Sequence, residues 1–429
     1  MFKGRLSRPR GFFYGWVIVA VFFLVDVIVY GIRNSFSVFY LSLLDEFGWG
    51  RAGTVGIFSL HIVVYGLVAP VSGRLADKFG PRKIVPLGTL LIAAGMVACS
   101  MASRIWQFYI LFGVIISVGI CVSGWSQFAP ILSEWFVRRR AAALGIVSAG
   151  YGLCFALSSL TEFLISRLGW RGALVALGAI PILTIAPLTV LLVKRRPEEM
   201  GLWPDGDPAA TGSRGGSGEA GGASGVDSPA VELTLAEAVR TYPFWMIFFA
   251  NFFFWGIGTN MILAHQVAFV NDIGYSEAFA AFILSLYGVV YAVGNLFGFV
   301  SDRFGRGRTF AVGSAGLIAA MLILIAAGEG ASPWMLYAYA ALFGFCMGVG
   351  TPTLNAIQAD LFQGRSFGTI NGFLMLGFGI GGSLGPWIGG VIYDTRGTYI
   401  PAFSIAIFSY VVTCVLVLKA AHARTRAAI

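Results

Sequence analysis

Charge is what this sequence lacks. Only 11% of its 429 residues are Asp, Glu, Lys or Arg and 57% are hydrophobic, whereas soluble domains carry about 25% charged and about 45 to 50% apolar residues. So few charges cannot cover a water-exposed surface, and soluble enzymes and nucleic-acid-binding proteins drop out as classes. Histidine is scarce too, with three residues scattered at His61, His265 and His422, and no nucleophile and base or metal-ligand set can be built from them. The five cysteines, Cys99, Cys121, Cys154, Cys346 and Cys414, fall singly inside apolar runs and read as small packing residues. A G-x-x-x-x-G-K-S/T loop is missing, so energy does not come from an ATP-hydrolysing domain in this chain. One G-x-G-x-x-G match, Gly377 to Gly382, lies inside an apolar run with no strand before it and reads as helix packing. No cofactor and no metal are expected.

What the sequence has instead is a series of apolar runs long enough to cross a hydrocarbon core of about 30 Å. Such runs lie at 14–40, 53–74, 84–103, 106–133, 141–166, 172–193, 243–269, 277–300, 309–328, 333–355, 366–392 and 400–419. The expectation is an all-α membrane protein with twelve transmembrane helices. The first run follows Lys3, Arg5, Arg8 and Arg10 but is too long for a signal peptide, so it reads as the first span. Alternating the spans puts 23 of the 29 Lys and Arg on the side of the N terminus, five on the other side, and Arg33 inside a span. Cations in short loops mark the cytoplasmic side. Both termini are therefore expected in the cytoplasm, and the net charge of +9 needs no nucleic acid to explain it.

The longest polar interruption, 196–241, separates an N-terminal bundle at 1–195 from a C-terminal bundle at 242–429. Its Gly, Ser and Ala rich middle predicts a partly disordered cytoplasmic linker. At its end, Thr234, Leu235, Ala236 and Glu237 form a capping-box pattern that predicts a short helix start. An internal repeat supports the six-plus-six division: Gly73 to Lys83 closes the second span, and Gly298 to Arg308 closes the eighth. In each copy the first glycine admits close helix approach, the acidic residue can pair with cations or cap a helix, and the second glycine turns the chain.

Both copies resemble the signature of the major facilitator superfamily, G-x-x-x-D-[RK]-x-G-[RP]-[RK]. The resemblance implies two six-helix bundles, a cavity near the midplane and alternating access. It also implies a cytoplasmic gate made by Gly73, Asp77, Arg82, Gly298, Asp302 and Arg306. Finer features resemble the branch of monocarboxylate transporters and oxalate/formate exchangers: Tyr14-Gly15-Trp16, Ser35 to Phe39, Phe47-Gly48-Trp49, Trp135 to Arg140, Gly169-Trp170-Arg171 and Arg196 to Gly206. Carriers of this branch place an arginine in the eighth span, where this chain has Tyr291 and Asn295 at the usual charged positions. The oxalate carriers add a lysine in the eleventh, where this chain has Asn371.

Charge inside the spans concentrates at Asp26 and Arg33 of the first. A charge at mid-bilayer costs about 2.5 to 3.5 kcal/mol on insertion scales, so such residues face the bundle interior and act there. Seven residues are nearly two helical turns, which sets both on one face with about 10.5 Å of rise between them. Arg33, with Asn34 beside it, is the candidate cation for substrate. Asp26 either couples protons or serves as the fixed counter-ion of Arg33. His61, Gln127, Tyr291 and Asn295 complete the candidate substrate and proton-coupling set, with plain packing an equal alternative for His61. Glu162 near the outer end of the fifth span reads as solvated. The expected protein is a monomeric, multi-pass carrier of the inner membrane that moves a small organic solute. Proton-linked uptake of a carboxylate leads; a neutral or aromatic solute, or a transporter-like sensor, remains open.

Overall fold

The computed structural model describes residues 13–124, 128, 131–132, 134–136, 139–206, 233–328, 330–362 and 367–427. Among them every regular element is helical. Twelve helices carry the fold: α1 (Gly15–Phe47), α2 (Arg51–Phe79), α3 (Pro81–Ser100), α4 (Ile105–Ser123), α5 (140–168), α6 (170–192), α7 (Tyr242–Asp272), α8 (Glu277–Leu296), α9 (Arg306–Ala326), α10 (Pro333–Leu361), α11 (Phe367–Arg396) and α12 (Ile400–Ala427). Residues 143–192 form one apolar stretch, but Gly169 breaks it with φ 69° and ψ 166°, a conformation that side chains with a Cβ rarely adopt. That break makes two spans of one stretch.

Several helices outrun the spans expected from hydropathy. α2 continues to Phe79, α10 to Leu361, α12 to Ala427, and α1 runs through a turn at Ser35 as far as Phe47. Hydropathy marks only the hydrocarbon-embedded part of a helix, while backbone hydrogen bonds continue equally well into the headgroup region. The second glycine of each copy of the internal repeat has positive φ, Gly80 at 78° and Gly305 at 87°, and does turn the chain from one helix into the next. The predicted capping box is formed: the Thr234 backbone N–H donates to Glu237 Oε2 at 2.8 Å, and Glu237 N–H donates to Thr234 Oγ1 at 3.4 Å. The donated backbone hydrogen bond also holds the Glu237 carboxyl below its usual range.

Packing between helices relies on bare backbone. A Cβ built at Gly256 of α7 would lie 2.6 Å from the Cα of Gly381 on α11, and one at Gly385 would lie 2.9 Å from the Ile257 carbonyl oxygen. Gly377 likewise presses on the Phe248 carbonyl. The glycine pattern at 377–382 is therefore a helix-packing surface, as in other small-residue membrane contacts. Six helices form each bundle, and the two bundles meet mainly where α2 packs on α11 and α5 on α8.

Candidate functional site

The first span is built to hold a charge. α1 is continuous from Gly15 to Asn34, then turns at Ser35, whose hydroxyl donates to the Ile32 carbonyl at 2.7 Å. The irregular turn falls directly after Arg33 and Asn34. A matching irregularity lies opposite, where α5 tightens to a 3-10 turn at Cys154–Ala156, and Asn34 Nδ2 donates to Cys154 Sγ at 3.2 Å. α7 carries a π-helical stretch at Phe252–Thr259 and α4 another at Tyr109–Ile116. Such wide turns recur at functional sites because they offset side chains and free carbonyl groups. The α4 stretch supplies the Phe112 carbonyl that lies 3.1 Å from His61 Nδ1.

Arg33 is 4% exposed and Asp26 is 2% exposed. Among the described residues they form no ion pair with each other, and Arg33 has no hydrogen-bond partner; its Nε and the Asp26 Oδ1 are buried and unpartnered. The guanidinium instead faces rings, 5.8 Å from the Phe58 centroid and 5.3 Å from that of Tyr65. Arginine suits such a site because its flat, weakly hydrated cation stacks on aromatic faces. The surrounding aromatics come from both bundles. Tyr30 and Tyr65 share a hydrogen bond of 2.8 Å, Tyr30 meets Tyr151 edge-on at 5.3 Å, and Tyr151 reaches Trp255 at 6.5 Å and Tyr291 at 6.2 Å. The Tyr291 hydroxyl donates to Thr351 Oγ1 at 3.3 Å, with half-buried Asn295 one turn on and facing the same hydroxyl. A small cavity lined by Asn34, Phe36, Ser37, Phe58, Phe155, Leu263 and Ala264 sits between the bundles here.

His61 is fully buried, with Nε2 unpartnered and its ring beside Phe58 at 6.2 Å. It borders the Arg33 pocket from α2. Gln127 lies outside the described residues, and so do the surroundings of Gly73 and the side chains of Asp77 and Asp302 in the repeated motif. Arg82 Nε donates to the Val193 carbonyl at 2.6 Å, and Arg306 pairs with Asp360 at 2.7 Å, each within its own bundle. Gly298 packs against Pro352, where a Cβ would lie 2.7 Å from the ring. Glu162 corrects the sequence expectation: it is 8% exposed, not solvated, because α8 packs over α5 at this level.

A second cluster, which the sequence reading did not single out, joins the bundles at the face away from the N terminus. The Arg51 guanidinium makes a two-pronged pair with Asp272, both contacts 2.7 Å, donates to the Tyr399 hydroxyl at 2.8 Å, and lies 3.6 Å from the Tyr393 ring centroid. Asp394 of α11 accepts from the Arg51 and Ala52 backbone N–H groups, each at 2.8 Å, and so caps α2 from the other bundle. Buried His265 bridges the Tyr399 hydroxyl at 3.2 Å and the Pro386 carbonyl at 2.8 Å. The signal that was there to find is charge: Arg51 is one of five cations on the sparsely charged side. Nearer the midplane, Ser159 and Ser285 hydroxyls meet at 2.8 Å, and a Cβ at Gly152 would lie 2.7 Å from the Ala292 nitrogen. All these cross-bundle contacts lie between the midplane and the far face.

Comparison with known proteins agrees with this architecture. The family model of the Major Facilitator Superfamily matches residues 21–276 and 247–428. Monocarboxylate transporter 13 of Bos taurus is 28% identical, covering 94% of this chain and 88% of that protein. Monocarboxylate transporter 12 of Homo sapiens is 24% identical over 96% of this chain and 82% of its own length. Among solved structures, a bacterial homolog of the human lysosomal transporter Spinster, inward-facing and unoccupied, superposes with a TM-score of 0.66 at 19% identity, covering 95% of this chain and 96% of that one. Twelve helices in two bundles, a repeated glycine and aspartate loop in each, and a family match over nearly the whole chain lead to one conclusion: this multi-pass membrane protein belongs to the Major Facilitator Superfamily and is a transporter, not an enzyme.

Proposed function

We propose that this chain takes up a small organic anion, a carboxylate, by proton-linked alternating access across the inner membrane, as a monomer with both termini in the cytoplasm. The observation that carries the reading is Arg33: a cation buried near the middle of the bilayer with no acidic partner among the described residues. A charge within the bilayer is costly, and residues of this kind normally mark a substrate or ion path. An incoming carboxylate supplies the missing partner and hydrogen bonds. Asp26, two turns away on the same helix with an unpartnered oxygen, supplies the proton site. Similarity to monocarboxylate transporters supports the substrate class.

In this reading the cross-bundle contacts at the Arg51 end seal the outer face, and the cavity opens toward the cytoplasm. The two glycine and aspartate loops, with Gly73, Asp77 and Arg82 in one and Gly298, Asp302 and Arg306 in the other, form the gate that closes the cytoplasmic face in the opposite state. The bundle division at 1–195 and 242–429, with 196–241 as linker, belongs to the same proposal. The test uses proteoliposomes: Arg33→Gln is expected to abolish carboxylate uptake, whereas Asp26→Asn weakens its dependence on a proton gradient but keeps counterflow exchange. Full, pH-dependent transport by Arg33→Gln would overturn the anion reading. It would promote a neutral solute, which Tyr291 and Asn295 at the eighth-span positions already favour as second choice.

A further inference from the structure

Around Arg33 the site holds more aromatic surface than a lactate-sized acid can use. Tyr65 on α2, Tyr151 on α5, Trp255 on α7 and Tyr291 on α8 surround one space from four helices. Tyr65, Tyr151 and Trp255 are each half-buried. Tyr151 is ringed by Tyr30, Trp255 and Tyr291, side chains from α1, α7 and α8, so its remaining free surface faces the interior and not lipid. The hydroxyls of Tyr65 and Tyr291 are already engaged, with Tyr30 and Thr351. Half-buried Tyr65 offers a ligand its ring face, whereas Tyr291 is buried and backs the site behind Tyr151. The Tyr151 hydroxyl and the Trp255 indole N–H have no partner among the described residues and can donate to a polar ring substituent. One cation and three part-exposed rings around the same space are the chemistry that selects a flat, aromatic anion.

We propose that the substrate is an aromatic carboxylate whose carboxylate is held by Arg33 and whose ring lies among Tyr65, Tyr151 and Trp255, with Tyr291 behind Tyr151. This rests on the anion reading above. Closing the bundles around such a ligand brings α5 and α7 together on its ring, which couples recognition to the rocking motion.

The experiment measures uptake of radiolabelled indole-3-acetate by the full chain in proteoliposomes, with competition by phenylacetate, benzoate, pyruvate, lactate and acetate. The expected result is at least tenfold tighter apparent affinity for the aryl acids, about 1.4 kcal/mol. Tyr151→Leu and Trp255→Leu should bring that ratio towards one by weakening indole-3-acetate uptake more than pyruvate uptake, and Trp255→Phe should fall between. Wild-type protein that treats pyruvate and indole-3-acetate alike, or ring variants that leave the ratio unchanged, would overturn the aromatic proposal and leave the anion reading standing. Indole-3-acetate uptake that survives Arg33→Gln would overturn both, as would a folded wild-type protein that moves neither acid class.

Discussion

Replacing Arg33 by lysine separates charge from shape. Lysine keeps the positive charge but not the flat guanidinium that lies 5.3 Å from the Tyr65 ring and 5.8 Å from that of Phe58. Anion uptake by Arg33→Lys is expected to persist with affinity weakened about tenfold, roughly 1.4 kcal/mol, and with its pH dependence intact. Unchanged affinity in a concentration series would mean that charge alone is used. Arg33 and Asp26 were legible in the sequence because a charge inside an apolar run has so few structural reasons to be there. The aromatic residues were not. Tyr65, Tyr151 and Trp255 are ordinary tenants of apolar spans, and only the fold brings three helices together to make them one surface. Glu162 misled for the opposite reason: its place near a span end signals solvent, while its burial depends on a neighbouring helix that local sequence does not name.

At the scale of elements, the contact between α5 and α8 rests on Gly152 and Gly288, whose backbones meet where a Cβ on Gly288 would lie 2.5 Å from the Gly152 carbonyl oxygen. This is the pair that holds the bundles together near the midplane. Gly152→Val adds bulk with no room to move, because the nearest atoms include the Ala292 backbone nitrogen, so it is expected to wedge the bundles apart. Cysteine-reactive probes that detect cavity opening from the far face should then label residues near Arg33 several times faster than in the parent protein, while insertion stays normal. Equal labelling would remove the close approach from the gating mechanism. The number of helices, their order, the capping box at Thr234 and the turns at Gly80 and Gly305 all followed from sequence, since each depends on hydropathy, capping chemistry or positive φ within a few residues. The π-helical stretches of α4 and α7 and the break at Ser35 did not, because packing against other helices sets them and no local propensity marks them.

Over the whole molecule, the asymmetry of basic residues and the seal between bundles make separate claims about sidedness. Cysteines placed at Gly218 in the linker and at Gly328 between α9 and α10 should react from opposite sides of the membrane; reaction from one side would defeat the orientation argument of charge. The seal then has to lie on the outer side. Arg51, Asp272, Asp394 and Tyr399 were invisible to a reading that treated loop charges only as orientation markers, since their pairing spans 221 to 348 residues of sequence. Each partner of the Arg51 side chain sits on the opposite bundle, as does the carboxylate that accepts from its backbone N–H, so opening the outer face must break the two-pronged Asp272 pair and uncap α2 at Asp394 together. Asp272→Asn keeps the shape and removes the charge. If the pair contributes about 1 kcal/mol to the closed state, the open fraction rises roughly fivefold. External labelling of a cysteine introduced at Ser37, buried beneath the seal, should accelerate by that factor. Exchanging the charges, Arg51→Asp with Asp272→Arg, should restore slow labelling only in part, because the Tyr399 hydrogen bond and the Tyr393 stack need the guanidinium on α2. Complete restoration would mean that the ion pair alone closes the outer face, and no acceleration in Asp272→Asn would mean that it contributes nothing to closure.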